Sequence, residues 1–209
     1  MNAISSFSRA RRPAEPEPPP PPLSDDVAAL IAASREHPER FAELFDRHYA
    51  EIRRYIDRRL GADAADDLAA EVFLVAFRKR SAFDPQQGTP RAWLYGIATR
   101  LVSRHRRDER RRYRALARLG DEPSGEGHAE RVEAQVAASA VGARLGRALA
   151  GLSSGDRDVL LLVALADLTY PEIAQALGIK YGTVFSRLSR ARRQLRQALG
   201  DINPLADGE

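Results

Sequence analysis

Apolar residues in this chain recur every three or four positions and no stretch alternates with period two, so its segments bury helical stripes rather than strand faces. In "FAELFDRHYAEIRRYIDRRLG", Phe41, Leu44, Phe45, His48, Ile52, Tyr55, Ile56 and Leu60 fall on one stripe, and Gly61 stops the helix. A second helix is expected over Ala62–Ser81, a turn at "FDPQQGTP", and a third helix over Pro90–Tyr113. "LGDEPSGEGHAE" has the Gly, Pro, Ser and acidic content of a linker. Helices are expected again over Ala129–Gly151, Ser154–Asp167, Pro171–Leu177 and Gly182–Leu199. The fold class is therefore all-α. A proline-rich disordered tail (1–24) leads into a helical domain (25–114). A flexible acidic linker (115–139), a second helical domain (140–200) and a short tail (201–209) follow.

The second domain ends in "YPEIAQALGIKYGTVFSRLSRARRQL". Thr169 and Glu172 have capping-box spacing, with Pro171 tolerated in the first turn. Ile173, Ala174 and Leu177 form a buried face, and Gly178 suits the left-handed residue that closes a helix. The next helix buries Val184, Leu188, Ala191 and Leu195. Its other side presents Thr183, Phe185, Ser186, Arg187, Ser189, Arg190 and Arg193. A scaffold helix, a glycine turn and a second helix with such a face make a helix-turn-helix, which offers its second helix to the DNA major groove.

Charge supports that assignment by its placement. The formal net charge is +4. Residues 100–114 carry +6 and residues 185–197 carry +5, so the remainder of the chain is acidic. The first cluster lies in "TPRAWLYGIATRLVSRHRRDERRR", where Leu94, Ile97, Ala98, Leu101 and His105 form the core stripe. Another stripe holds Trp93, Arg100, Arg104, Arg107 and Arg111, an aromatic ring followed by four guanidinium groups. Such a face suits single-stranded nucleic acid, the ring stacking a base while the arginines hold the backbone. Core packing is the other reading of Trp93. In "DDLAAEVFLVAFRK", Leu68, Val72, Val75 and Ala76 make one apolar face, Phe73 and Phe77 a second, and Glu71 sits between. A helix apolar on two sides is either fully buried or covered by a partner.

Other function classes find little support. The sequence has no cysteine, so no disulfide or thiolate metal site is expected. Asp66, Asp67 and Glu71 lack a matching histidine or phosphate loop, and no metal, cofactor or catalytic residue is expected. The longest apolar run, residues 159–166, is too short to cross a bilayer, and the N-terminus lacks an apolar signal core. A cytoplasmic protein without membrane insertion is expected.

Three segments in this order resemble the extracytoplasmic-function (ECF) sigma factors, the compact class of bacterial transcription initiation factors within the sigma-70 family. "DLAAEVFLVAFRK" is similar to the helix that docks on the clamp helices of the RNA polymerase largest subunit. That match implies polymerase contacts by Asp67, Glu71 and Phe73, with Leu74 and Phe77 beside them. "PRAWLYGIATR" resembles the promoter-melting and minus-ten segment, which implies roles there for Trp93, Tyr95, Arg100, Arg104, Arg107 and Arg111. "LTYPEIAQALGIKYGTVFSRLSRARRQL" resembles the minus-thirty-five reader, assigning Thr183, Phe185, Ser186, Arg187, Ser189, Arg190 and Arg193 to duplex DNA. The chain departs from the family pattern at Ala70, where Gln is usual, at Arg100 and Arg104, where Asn and Asp are common, and at Phe185, usually polar or basic. Its promoter preference is therefore expected to differ from that of relatives.

The resemblance implies an alternative sigma factor with core polymerase, promoter DNA and an anti-sigma protein as partners, needing no cofactor. The tether fits that mechanism. Residues 120–139 span about 25 Å as a coil and about 65 Å stretched, whereas two promoter elements two helical turns apart lie about 70 Å from one another. The linker must be drawn out, as in a polymerase channel, or serve only as an acidic spacer. A self-sufficient helix-turn-helix regulator is the alternative, and it leaves the Trp93 helix and the two-sided Phe73 helix without a use.

Overall fold

The structure, a computed structural model, describes residues 24–118 and 140–199. The described residues form eight α-helices: α1 (Ser24–Ala33), α2 (Phe41–Leu60), α3 (Ala65–Lys79), α4 (Pro90–Arg118), α5 (Ala140–Gly151), α6 (Ser154–Ala166), α7 (Tyr170–Leu177) and α8 (Tyr181–Leu199). Short 3-10 turns precede α2 and flank α3. The all-α expectation holds among these residues, and most helix limits fall within a few positions of those expected. α4 runs to Arg118, four residues past the expected domain end. The proline-rich tail, most of the linker and residues 200–209 lie outside the described residues.

Helices α1–α4 form the first bundle. α1 buries Val27, Leu30 and Ile31. Its end is tied to the segment after α3 by Arg35 donating to the Phe83 carbonyl (2.8 Å) and Arg80 to that of Ser34 (3.0 Å). The expected α2 stripe is buried at Phe41, Leu44, Ile52, Tyr55, Ile56 and Leu60, but Phe45 emerges on the surface. Gly61 ends α2 at φ 88°, where a side chain is strained. Thr89 begins α4, its Oγ1 accepting from the amide of Ala92 (3.1 Å).

Helices α5–α8 form the second bundle. Ser153 caps α6 by accepting from the Asp156 amide (3.2 Å). The capping box of α7 is complete: Thr169 accepts from the Glu172 amide, and Glu172 Oε2 accepts from the Thr169 amide (2.9 Å). Gly178 closes α7 in the left-handed region at φ 64°. α8 buries Val184, Leu188 and Ala191 against the rest. Burying three such side chains contributes on the order of 5 kcal/mol to holding the recognition helix in place.

The two bundles are not separate bodies in this structure. Their buried apolar residues form one continuous cluster, closed along a seam where α7 lies on α4. Gly96 of α4 meets the Ala176 backbone so closely that a Cβ there would stand 2.3 Å from the Ala176 carbonyl oxygen. Polar ties accompany the contact. Thr89 Oγ1 donates to Glu172 Oε1 (3.2 Å), and Arg91 donates to the Ala166 carbonyl (2.7 Å), at the negative end of the α6 dipole. Arg59 of α2, almost wholly buried, donates to Asp158 Oδ1 of α6 (2.5 Å) and to the Tyr55 hydroxyl (2.6 Å). Removing one partner of a buried pair of this kind costs about 3–5 kcal/mol, because the other charge is left without compensation.

Candidate nucleic-acid and partner interfaces

On α3, Leu74 is 48% exposed and Asp67 and Ala70 face solvent, while Glu71 is half-buried. Phe73 turns inward, edge-on to Phe45 at a centroid distance of 4.9 Å. Phe77 is half-buried, packed edge-on against Phe41 and covered by the Arg80 guanidinium at 4.0 Å. The helix is apolar on two sides mainly because both sides are packed. The exposed apolar surface is Leu74 together with Phe45, which stacks on Tyr49 at 4.7 Å. Phe45 was legible only as one more member of the α2 stripe. Asp66 is held by Arg53 (2.6 and 3.1 Å) and by the Tyr49 hydroxyl, and these hydrogen bonds lower its carboxyl below the usual carboxylate range.

On α4, the arginine row is outward. Arg100 is exposed and donates to the Gly96 carbonyl (3.0 Å). Arg104 and Arg111 flank Asp108, and Arg107 is exposed. Trp93 is half-buried against Phe83 (5.1 Å) and lines a shallow groove with Thr89 and, across the seam, Gln175. Tyr95 is buried, edge-on to Tyr55 (5.1 Å), with Arg91 over its ring at 5.3 Å. Burial first, and then the nearby Glu51 carboxylate, raise its hydroxyl pKa. Burial also opposes ionisation of Glu51 itself, but His48 and Arg91 outweigh it and its carboxyl is lowered overall. Arg106, missed in the row, points inward to the Arg59 carbonyl (2.5 Å). Burial, then the Arg59 and Arg157 charges, push it down to about 10, so it remains a cation at neutral pH.

On α8, Phe185 is 62% exposed, with Ser186, Ser189 and Arg193 also on the surface and Thr183 half-buried. Two arginines of the expected reading face turn back toward α6. Arg190 grips Asp156 through two hydrogen bonds (2.8 and 2.9 Å), and this pairing lowers the Asp156 carboxyl. Arg187 lies over Gly155, where a Cβ would come within 2.8 Å of its guanidinium. Tyr181, at the start of α8, is 56% exposed and was not among the expected residues. Among the described residues no group of His, Asp or Glu side chains is arranged to hold a metal ion, and no helix is long and apolar enough to cross a membrane.

The geometry thus defines a two-bundle helical protein carrying a helix-turn-helix and a separate arginine-faced helix. Known families match both parts: sigma-70 region 2 over residues 44–112 and sigma-70 region 4 over residues 142–195. The ECF RNA polymerase sigma factor SigC of Mycobacterium tuberculosis is 32% identical, over 87% of this chain and 95% of its own length. The ECF sigma factor RpoE of Cereibacter sphaeroides is 28% identical, over 82% of this chain and 94% of its own. The solved structure of CnrH in complex with the cytosolic domain of CnrY superposes with a TM-score of 0.57 at 26% identity, covering 84% of this chain and 96% of CnrH. The chain belongs to the ECF class of the sigma-70 family. It is an alternative sigma factor, which binds core RNA polymerase and directs promoter-specific transcription initiation.

Proposed function

We propose how this chain divides that work. Residues 25–114 bind core polymerase and open the promoter, and residues 140–200 read the upstream duplex, with 115–139 as the span between them. The polymerase surface is the outward strip of α3 formed by Asp67, Leu74 and the half-buried Glu71, extended by Phe45; Phe73 and Phe77 act from beneath by holding it in shape. Arg100, Arg104, Arg107 and Arg111 track the unwound minus-ten strand. Trp93 stacks a base at the head of that row, and Tyr95 supports the helix from inside. Thr183, Ser186, Ser189 and Arg193, with Phe185, face the minus-thirty-five groove. Arg187 and Arg190 brace α8 against α6 and are available to phosphates only at the edge of the groove.

The observation carrying this reading is the pairing, in one chain, of a capped helix-turn-helix with an outward arginine row on a second bundle. In our reading the factor is not an enzyme, acts in the cytoplasm, and uses binding energy to the displaced strand in place of a nucleotide cofactor. CnrH is solved with the cytosolic domain of CnrY, and this chain is read as having an inhibitory protein partner of the same kind. The closed seam keeps both readers on one body, so the bundles part when promoter elements about 70 Å apart are engaged.

The test is transcription by bacterial core polymerase on a genomic promoter library, with and without the chain. Chain-dependent transcripts sharing two upstream motifs are expected. No transcripts, with tight binding of the chain alone to palindromic duplexes, would instead establish a stand-alone regulator.

A further inference from the structure

Resting on that assignment of α8, we infer that the factor reads its upstream duplex through thymine methyl groups, using a two-ring edge formed by Tyr181 and Phe185. Four large apolar side chains among the described residues are notably exposed, and two of them are these rings. They stand four residues apart on one helix, so they share a side, one turn above the other. Both lie at the beginning of α8, the end that a recognition helix pushes toward base edges. Val184 and Leu188 each follow one of the rings by three residues and, with Ala191, hold the adjoining side of the helix in the core, so the rings stand at the rim of that contact and outside it.

Two arginines in the first half of α8 are drawn toward α6. Bidentate recognition of guanine needs a guanidinium aimed at the base edge, and Asp156 holds Arg190 by its Nε and Nη2, turning that guanidinium toward α6. Arg187 is drawn over Gly155. Arg192, Arg193 and Arg196 are exposed but begin seven residues past Phe185, farther along the helix and suited to phosphates. What the leading turn offers the groove is therefore aromatic surface beside the Ser186 and Ser189 hydroxyls. Thymine is the base whose major-groove edge carries a methyl group, and an apolar side chain against that methyl favours A·T pairs there.

The experiment uses holoenzyme reconstituted from core polymerase and the full chain. It selects from two duplex libraries randomised over the upstream element, one made with thymine and one with uracil. Thymines are expected to be enriched at two or more positions of the first library and lost from the second, each methyl being worth roughly fourfold in binding. Tyr181→Ala and Phe185→Ala each remove the preference at their own position, and on uracil duplexes neither variant loses anything further. Both rings are exposed, so the variants keep the wild-type melting temperature. Arg193→Gln, by contrast, weakens all sequences equally and lowers the salt dependence. Selection of guanine-rich elements that ignores the thymine-to-uracil exchange overturns the inference while leaving the sigma assignment intact. Failure of the holoenzyme to select any sequence overturns the assignment of α8 itself.

Discussion

Substituting Gly96 by alanine loads the seam with a single methyl group. Its Cβ would lie 2.3 Å from the carbonyl oxygen of Ala176 and 3.1 Å from the carbonyl carbon. Both opposing atoms are backbone, so no rotamer change relieves the clash, and α4 and α7 must separate by roughly 1 Å. Overpacking of this kind costs about 1–3 kcal/mol, which moves the closed–open balance toward open by about 5- to 150-fold. Within α4 alone the same change is favourable by about 1 kcal/mol, since alanine replaces glycine in a helix interior. The first bundle is therefore expected to hold or gain stability while docking weakens, a combination that general misfolding does not produce. Closure is read by cross-linking. A Cβ built at Gly88 stands 3.5 Å from Gln175 Cβ, inside the range for a disulfide, and the chain has no other cysteine to compete. Gly88→Cys with Gln175→Cys is expected to oxidise readily, and adding Gly96→Ala to slow that oxidation at least fivefold. Equal rates with and without Gly96→Ala would refute the seam as the closing contact.

The oxidised Gly88→Cys/Gln175→Cys protein is expected to support at least tenfold less promoter-dependent transcription than its reduced form, with activity restored by dithiothreitol. Leu74→Ala is expected to weaken holoenzyme assembly about tenfold in a polymerase binding titration with no change in melting temperature, because the side chain is half-exposed. Asp156 titrates below the ordinary carboxylate value through its bonds to Arg190, so the stability it adds is present above about pH 4 and is lost as pH falls through its lowered folded value. Asp156→Asn is accordingly expected to be less stable than wild type at pH 5–7, with the difference closing below about pH 4 in denaturant titrations.

How far the sequence carries depends on the separation of the partners. The Thr169–Glu172 box and the Gly178 stop are local signals found where their spacing puts them. The α2 and α8 stripes are buried except at Phe45, which surfaces, and at His48 and Leu195, which are only half-buried. The seam has no such signature. Arg59 and Asp158 stand 99 positions apart, and Gly96 and Ala176 contribute by lacking bulk, which leaves no mark on an apolar pattern. The outward arginine row was readable because unopposed charge must face solvent. Arg190 was not, because its partner Asp156 lies 34 residues upstream on another helix. Aromatic residues deceived in both directions: Phe73 and Tyr95 look available in sequence but are packed, while Phe45 sits in a core stripe yet surfaces where α2 meets α3.

The hydrogen bond from Thr89 to Glu172 joins two side chains that each already secure the first turn of a helix. Helix starts fray first, and their amides exchange with solvent through small local openings. Here the opening of either start disturbs the residue that anchors the other, so the amides of Ala92 and Thr169 lose protection together when the bundles separate. Deuterium uptake at those two positions then serves as an unlabelled gauge of whether the factor is docked on itself or extended along polymerase.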